Sequence, residues 1–253
     1  MSPLALSLLS GAFIGGAAGY LGSLMLTRRM ALVAGPLGHL TLPGIALALL
    51  LGFDVSLGAF PFVVVGVFLI WLLEMRTKLP MEALTALVFA SGVAITFLFL
   101  PIEQAETALV GDISKVGIGD TALSVVASLA IMLAVKHAYP KLVLGNISEE
   151  LAAAEGIELK RYNLLYLFLI AVIVALGVKM VGGLLTAALV AIPPAAARNI
   201  GKSLGQYALG AAAIGTLSAA AGIVLFEVTG FPAGPLIVLV STAIFVLTLP
   251  FAR

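Results

Sequence analysis

Apolar stretches of about 20 residues follow one another along this chain from end to end, each long enough to cross a hydrocarbon layer about 30 Å thick. Read between charged and Pro/Gly-rich breaks, they fall near 4–27, 31–51, 56–75, 81–100, 120–138, 163–178, 182–198, 203–226 and 232–251. That succession predicts an all-α, polytopic transmembrane helix bundle of about nine spans, with an eight-span reading left open. The alternating pattern of a membrane barrel is absent, and lipid offers no partner to a backbone amide, so each segment must satisfy its own amides as a helix. Of the 253 residues, 62% are hydrophobic and 10% charged. An ordinary soluble domain is about one-quarter charged, so this chain has too little polar surface to face water all round.

The sign of the loops sets an orientation. Basic residues favour the cytoplasmic side, and here they occupy alternate loops: Arg28 and Arg29, Arg76 and Lys78, Lys136 through Arg161, Arg198 and Lys202, then Arg253. The intervening loops carry Asp54, Glu103, Glu106, Asp112, Asp120 and Glu227. The alternation places the N-terminus outside and the C-terminus inside, with Lys179 on the wrong side. Residues 1–26 start uncharged and stay apolar too long for a secretory leader, which predicts a retained helix. A formal charge of +1 lacks the concentrated basic face that nucleic acid requires. Zero cysteines exclude thiolate metal sites and disulfides. No internal repeat and no long linker interrupt residues 1–253, which read as a single transmembrane domain.

Four constellations stand out. In RRMALVAGPLGHLTLPGIAL, residues 28–47, Pro36 and Pro43 interrupt a span. Each proline lacks an amide proton and crowds the carbonyl four residues earlier, freeing those of Leu32 and His39. Irregular backbone at membrane depth survives where protein covers it or a wet cavity adjoins it, so this segment is expected to face the bundle interior. His39 reads either as a metal-pathway ligand or as a hydrogen-bonded structural residue, since one imidazole is far from a coordination shell. His137, beside Lys136 at the inner boundary, reads as a solvated end residue. In the inner loop, NISEELAAAEGIELKRYN (146–163) predicts a short amphipathic helix: Ser148 caps it, Glu149 and Glu150 suit its positive end, and Gly156 ends it.

In VAIPPAAARNIGKS (190–203), Pro193 and Pro194 are expected to break a span before Arg198. Gly201, Lys202 and Ser203 match the tail of a phosphate-binding loop, yet Ala196 stands where its first glycine belongs and the segment follows a membrane helix, so no nucleotide cradle forms. ATP, if it drives this protein, binds another chain. Last, the outer segment with Glu103, Glu106 and Asp112 reads either as a solvated loop or as a surface that concentrates cations. In the first span, Gly11, Gly15 and Gly19 share one helix face and predict close helix packing.

Taken in order, RRMAL with HLTLPGIALALL (39–50), LVGDI (109–113), SEELAAAEGI (148–157), KMVGGLLTAALVAIPPAAAR (179–198) and FPAGPLIVLV (231–240) resemble the integral membrane permeases of ATP-binding-cassette importers for zinc, manganese and iron(II). The resemblance covers essentially the whole chain and implies a type II importer permease in the cytoplasmic (inner) membrane of a prokaryote. It implies a homodimer enclosing one pathway, a separate ATPase docked inside, and an extracytoplasmic metal-binding protein docked outside. SEELAAAEGI, with Ser148, Glu149, Glu150, Leu151, Ala152 and Gly156, would be the coupling helix seated on the ATPase. The chain itself would hold no cofactor and no catalytic residue: the divalent metal is cargo, and ATP sits on the partner. Family members commonly carry an Asp four residues before the histidine; here Gly35 stands there, so only His39 carries over.

Three other readings define the competition. Permeases for metal chelates of the cobalamin or siderophore type share a related architecture but have longer chains. An ion-coupled secondary transporter would show pseudo-symmetric halves and several intramembrane carboxylates, and neither is seen. An intramembrane enzyme would need a nucleophile and base or a full metal site within the spans.

Overall fold

Backbone hydrogen bonding inside hydrocarbon is met here by helices alone: no strand occurs among the described residues. The computed structural model describes residues 2–27, 34–77, 79–99, 113 and 116–252. In chain order the helices are α1 (Pro3–Thr27), α2 (Ala34–His39), α3 (Leu42–Leu51), α4 (Val55–Arg76), α5 (Met81–Phe99), α6 (Ile118–Ile147), α7 (Glu149–Ala154), α8 (Leu159–Val181), α9 (Gly183–Ile200), α10 (Leu204–Thr229) and α11 (Ala233–Thr248). A 3₁₀ turn, Leu249–Phe251, follows α11.

Helix α1 is the hub, packed against α6, α8, α9 and α10. Two residues of its predicted glycine face, Gly15 and Gly19, approach α10 closely. A Cβ at Gly15 would lie 2.5 Å from the Gly215 carbonyl oxygen and 2.9 Å from Ala219 Cβ. Gly19 abuts the Ala211 carbonyl in the same way. Small residues let two backbones come close enough for dispersion contacts along their length, the main attraction left when lipid tails are as apolar as leucine. Hydroxyls add polar ties across helices. Ser10 Oγ donates to Thr121 Oγ1 at 3.0 Å, joining α1 to α6, and Thr216 Oγ1 donates to the Ala12 carbonyl at 3.1 Å, joining α10 to α1.

The ends of the bundle are distinct. One gathers Thr27, Asn146, Arg198 and Ser203, with Asn146 Nδ2 donating to the Thr27 carbonyl at 3.2 Å. The other brings Ser7 to Ile113 and Asp54 close to Asp120.

Three sequence expectations are revised. Among the described residues six helices, not nine, are long and apolar enough to cross a membrane: Pro3–Thr27, Val55–Arg76, Ile118–Ile147, Leu159–Val178, Leu204–Thr229 and Ala233–Phe251, beside a shorter apolar helix, Glu82–Leu98. The second expected span is divided into α2 and α3, 6 and 10 residues long and individually too short. The expected 120–138 span is instead α6, which runs 30 residues to Ile147 straight through Pro140. A helix of that length is about 45 Å long, against about 30 Å of hydrocarbon, so its end projects into water.

Filling the α1–α10 seam tests this packing. Gly15→Leu is expected to destabilise the purified chain in detergent by about 1–3 kcal/mol or more through overpacking. Gly205→Ala, where nothing lies within 4 Å, should leave the melting temperature unchanged or raised. Thermal unfolding followed by circular dichroism measures both.

Candidate functional site

The interrupted segment between α2 and α3 is built by its prolines. Pro43 occupies the first turn of α3, where no intrahelical donor is needed, and cannot donate to the His39 carbonyl. The helix therefore closes at His39 and restarts at Leu42. The joint is tight: Thr41 keeps helical dihedrals (φ −70°, ψ −26°), its Oγ1 donates to the Gly38 carbonyl at 2.6 Å, and Leu40 N donates to the Pro36 carbonyl at 3.2 Å. Pro36 lies in the first turn of α2; Leu32, whose carbonyl it is expected to free, lies outside the described residues.

Leu40 locks this joint into the bundle. A Cβ at Gly66 of α4 would come within 2.6 Å of its Cδ1, and one at Gly92 of α5 within 3.0 Å of its Cδ2. Helix α3 seats on α4 by the reciprocal contact of Gly44 and Gly58. His39 is half-buried with its ring centroid 5.1 Å from that of Phe89 on α5, the planes tilted by 51°. An aromatic neighbour at that distance makes a packing contact. Among the described residues no group of three or more His, Asp, Glu or Cys could hold a metal ion, so His39 has no ligand set around it there.

Helix α2 also lies against α9, which carries Pro193 and Pro194. Neither proline breaks it: α9 continues from Gly183 to Ile200 through both. Pro194 cannot satisfy the Val190 carbonyl, and that carbonyl and the Pro194 ring both press on Gly22 of α1, where a Cβ would lie 2.9 Å from Pro194 Cγ. The absent side chain of Gly22 makes room for the displaced backbone.

At the Asn146 end, α7 forms as the sequence predicts. Ser148 Oγ accepts from Leu151 N at 3.2 Å, Glu149 and Glu150 stand exposed in the first turn, and Gly156 follows in the left-handed region (φ 72°). Ala152 is fully buried and anchors the helix, while Leu151 is 55% exposed. Ile147, one residue before the cap, is 73% exposed. Sequence reasoning missed Ile147; an apolar residue directly before an N-cap was the available signal. Lys141 of α6 donates to the Tyr162 hydroxyl, fastening α6 to α8, and contacts His137 Nε2 of its own helix at 3.2 Å.

At the opposite end a cleft of about 250 Å³ is lined in part by Asp54, Ser56, Asp120 and Ser124. Asp54 Oδ1 accepts from Ser56 N at 2.8 Å and Asp120 Oδ2 from Gly117 N at 2.8 Å, so both carboxylates cap helices. Glu103, Glu106 and Asp112 lie outside the described residues.

The described residues form a helical bundle with a proline joint at residues 39–42 and an exposed capped helix on one end. The family model "ABC 3 transport family" matches residues 2–252, and the chain belongs to that family. It is 26% identical over 246 residues to the manganese import system permease protein ScaB of Streptococcus gordonii, covering 96% of this chain and 88% of that one. It is 30% identical over 247 residues to the zinc transport system membrane protein TroC of Treponema pallidum, covering 92% and 83%. The fold is shared with the solved structure of PsaBC from Streptococcus pneumoniae in complex with Fab, at a TM-score of 0.83, 23% identity and 98% and 91% coverage.

Removing the Ser148 cap should loosen α7 alone. Ser148→Ala is expected to cost about 1 kcal/mol, or about fivefold faster amide exchange at Leu151, with α1 and α10 unaffected. Hydrogen exchange read by mass spectrometry measures it.

Proposed function

We propose that this chain is the permease subunit of an ATP-binding-cassette importer for a divalent transition metal, manganese or zinc foremost, with ATP hydrolysed on a separate chain. The observation that carries this reading is the family match along residues 2–252, beside relatives named as a manganese import permease and a zinc transport membrane protein. Two copies enclose the pathway in the cytoplasmic membrane of a prokaryote, and residues 1–253 act as one transmembrane domain. The six long helices cross singly, and the shorter α5, α9 and the α2–α3 pair taken together would bring the total to about nine, with the N-terminus outside. An extracytoplasmic binding protein delivers the ion.

Helix α7 is the coupling element. Its exposed Leu151 and Ile147 offer an apolar anchor, the two glutamates give it polarity, and Ala152 fixes it to the bundle. A cleft on the ATPase that moves with nucleotide would push this anchor and rock the helices as packed bodies. His39 and the joint at Pro36 and Pro43 line the route on this reading, and Pro193 and Pro194 shape the neighbouring α9. With Gly35 in place of a carboxylate, the imidazole offers one transient contact, which suits release over retention. The acidic outer segment, Glu103, Glu106 and Asp112, concentrates cations at the mouth.

The test is metal-stimulated ATP hydrolysis by the permease reconstituted with its ATPase and binding protein. Glu150→Arg combined with Leu151→Arg is expected to reduce the stimulated rate about tenfold, as removal of an interface anchor does. Unchanged stimulation would remove the coupling role. In metal uptake into the same vesicles, His39→Ala is expected to slow transport while Phe89→Leu leaves it near wild type; equal rates for wild type and His39→Ala would place the imidazole outside the route.

A further inference from the structure

Two adjoining clefts at the α7 end of the bundle, about 490 and 590 Å³, share Arg198, Gly201 and Lys202. The first is closed by the end of α1 at Thr27, by Asn146 and by Ser203 and Tyr207 of the α10 start. The second opens toward Ile200, Pro250 and Phe251. We propose that Arg198 and Lys202, with Ser203, hold the phosphate of an anionic phospholipid, whose acyl chains lie along the apolar surface of α9, α10 and the turn after α11. The proposal depends on the chain spanning a membrane and not on the identity of the transported ion.

The donors in this place are unbalanced. Neither Arg198 nor Lys202 meets a carboxylate within ion-pairing distance among the described residues; the ion pair at this end joins Arg161 to Glu158 at 2.7 Å. Tyr207 is only 8% exposed and forms part of the wall of the first cleft beside Thr27. Ser203 Oγ accepts from Gln206 N at 3.2 Å and keeps its own proton to donate. Guanidinium, ammonium and hydroxyl together form a donor set without a carboxylate, which matches the oxygens of a phosphate.

The rim decides that the phosphate carries hydrocarbon. Ile200, Leu204, Leu249 and Phe251 all stand exposed around the basic pair. In a membrane-spanning chain such a surface meets acyl chains, and a basic pocket between helix ends at the hydrocarbon boundary is where an anionic headgroup gains most. A free phosphate would leave that rim unused, and an acidic side chain of a soluble partner would have to cross it.

The experiment uses the purified full-length chain in detergent, with phosphatidylglycerol, phosphatidylcholine or inorganic phosphate added and bound lipid counted by native mass spectrometry. Phosphatidylglycerol is expected to bind about thirtyfold more tightly than phosphatidylcholine, from two basic residues at the boundary. Arg198→Gln with Lys202→Gln should bring it down to the phosphatidylcholine level. Lys160→Gln, an exposed basic residue of α8, should not change it. Unaltered phosphatidylcholine binding by the double variant shows that it is folded. Equal binding of the two lipids by the wild type, or an unaffected double variant, overturns the proposal. Displacement of the lipid by an equal concentration of inorganic phosphate overturns it in favour of a free-anion site. Loss of the lipid whenever the ATPase is bound overturns it in favour of an acidic surface on that partner.

Discussion

The contact on which the rest of this structure leans is the close approach of two backbones, α1 against α10, across Gly15, Gly19 and Gly215. In hydrocarbon a leucine gains little by moving from lipid to a protein interior, so larger side chains cannot drive assembly as they do in water. Glycine and alanine do it by letting whole helices touch. That seam fixes α1 as the hub, and α6, α8 and α9 arrange themselves around it. The hydroxyls of Ser10 and Thr216 add direction, because each finds its partner only in one register.

Proline acts differently in the two places where it recurs within the bundle. At Pro43 the missing amide coincides with a helix start, and the segment divides into α2 and α3 with His39 at the joint. At Pro193 and Pro194 the helix continues, because Gly22 of α1 leaves space for the backbone those rings displace. The same residue type gives a joint or an unbroken rod depending on whether a neighbour accommodates the freed carbonyl. Leu40, seated between Gly66 and Gly92, fixes the joint against α4 and α5.

Helix α7 follows the projecting end of α6, held by the Ser148 cap and by buried Ala152, while Lys141 ties α6 to Tyr162 of α8. The Arg198–Lys202 clefts adjoin the same end, so the polar rim of the bundle offers an apolar anchor beside a strongly basic hollow. Both follow from helices of unequal length: whatever outruns the apolar layer must be polar, capped or paired.

The sequence by itself determined the solvent, the helical class, the Gly11–Gly15–Gly19 packing face, and α7 with its cap and its glycine stop. These are local or compositional properties: hydropathy over a window, spacing on one helix, a cap three residues from its donor. The resemblance of five ordered blocks also carried the family. Only the tertiary structure decided that 34–51 holds two helices, that α6 runs through Pro140, that α9 survives two prolines, and that His39 packs on Phe89. Each of those outcomes depends on a residue distant in sequence, such as Gly22 opposite Pro194, or on how far a helix outreaches the membrane. A sequence lists donors, acceptors and volumes, but the partner that satisfies or displaces each one is chosen only when the helices pack.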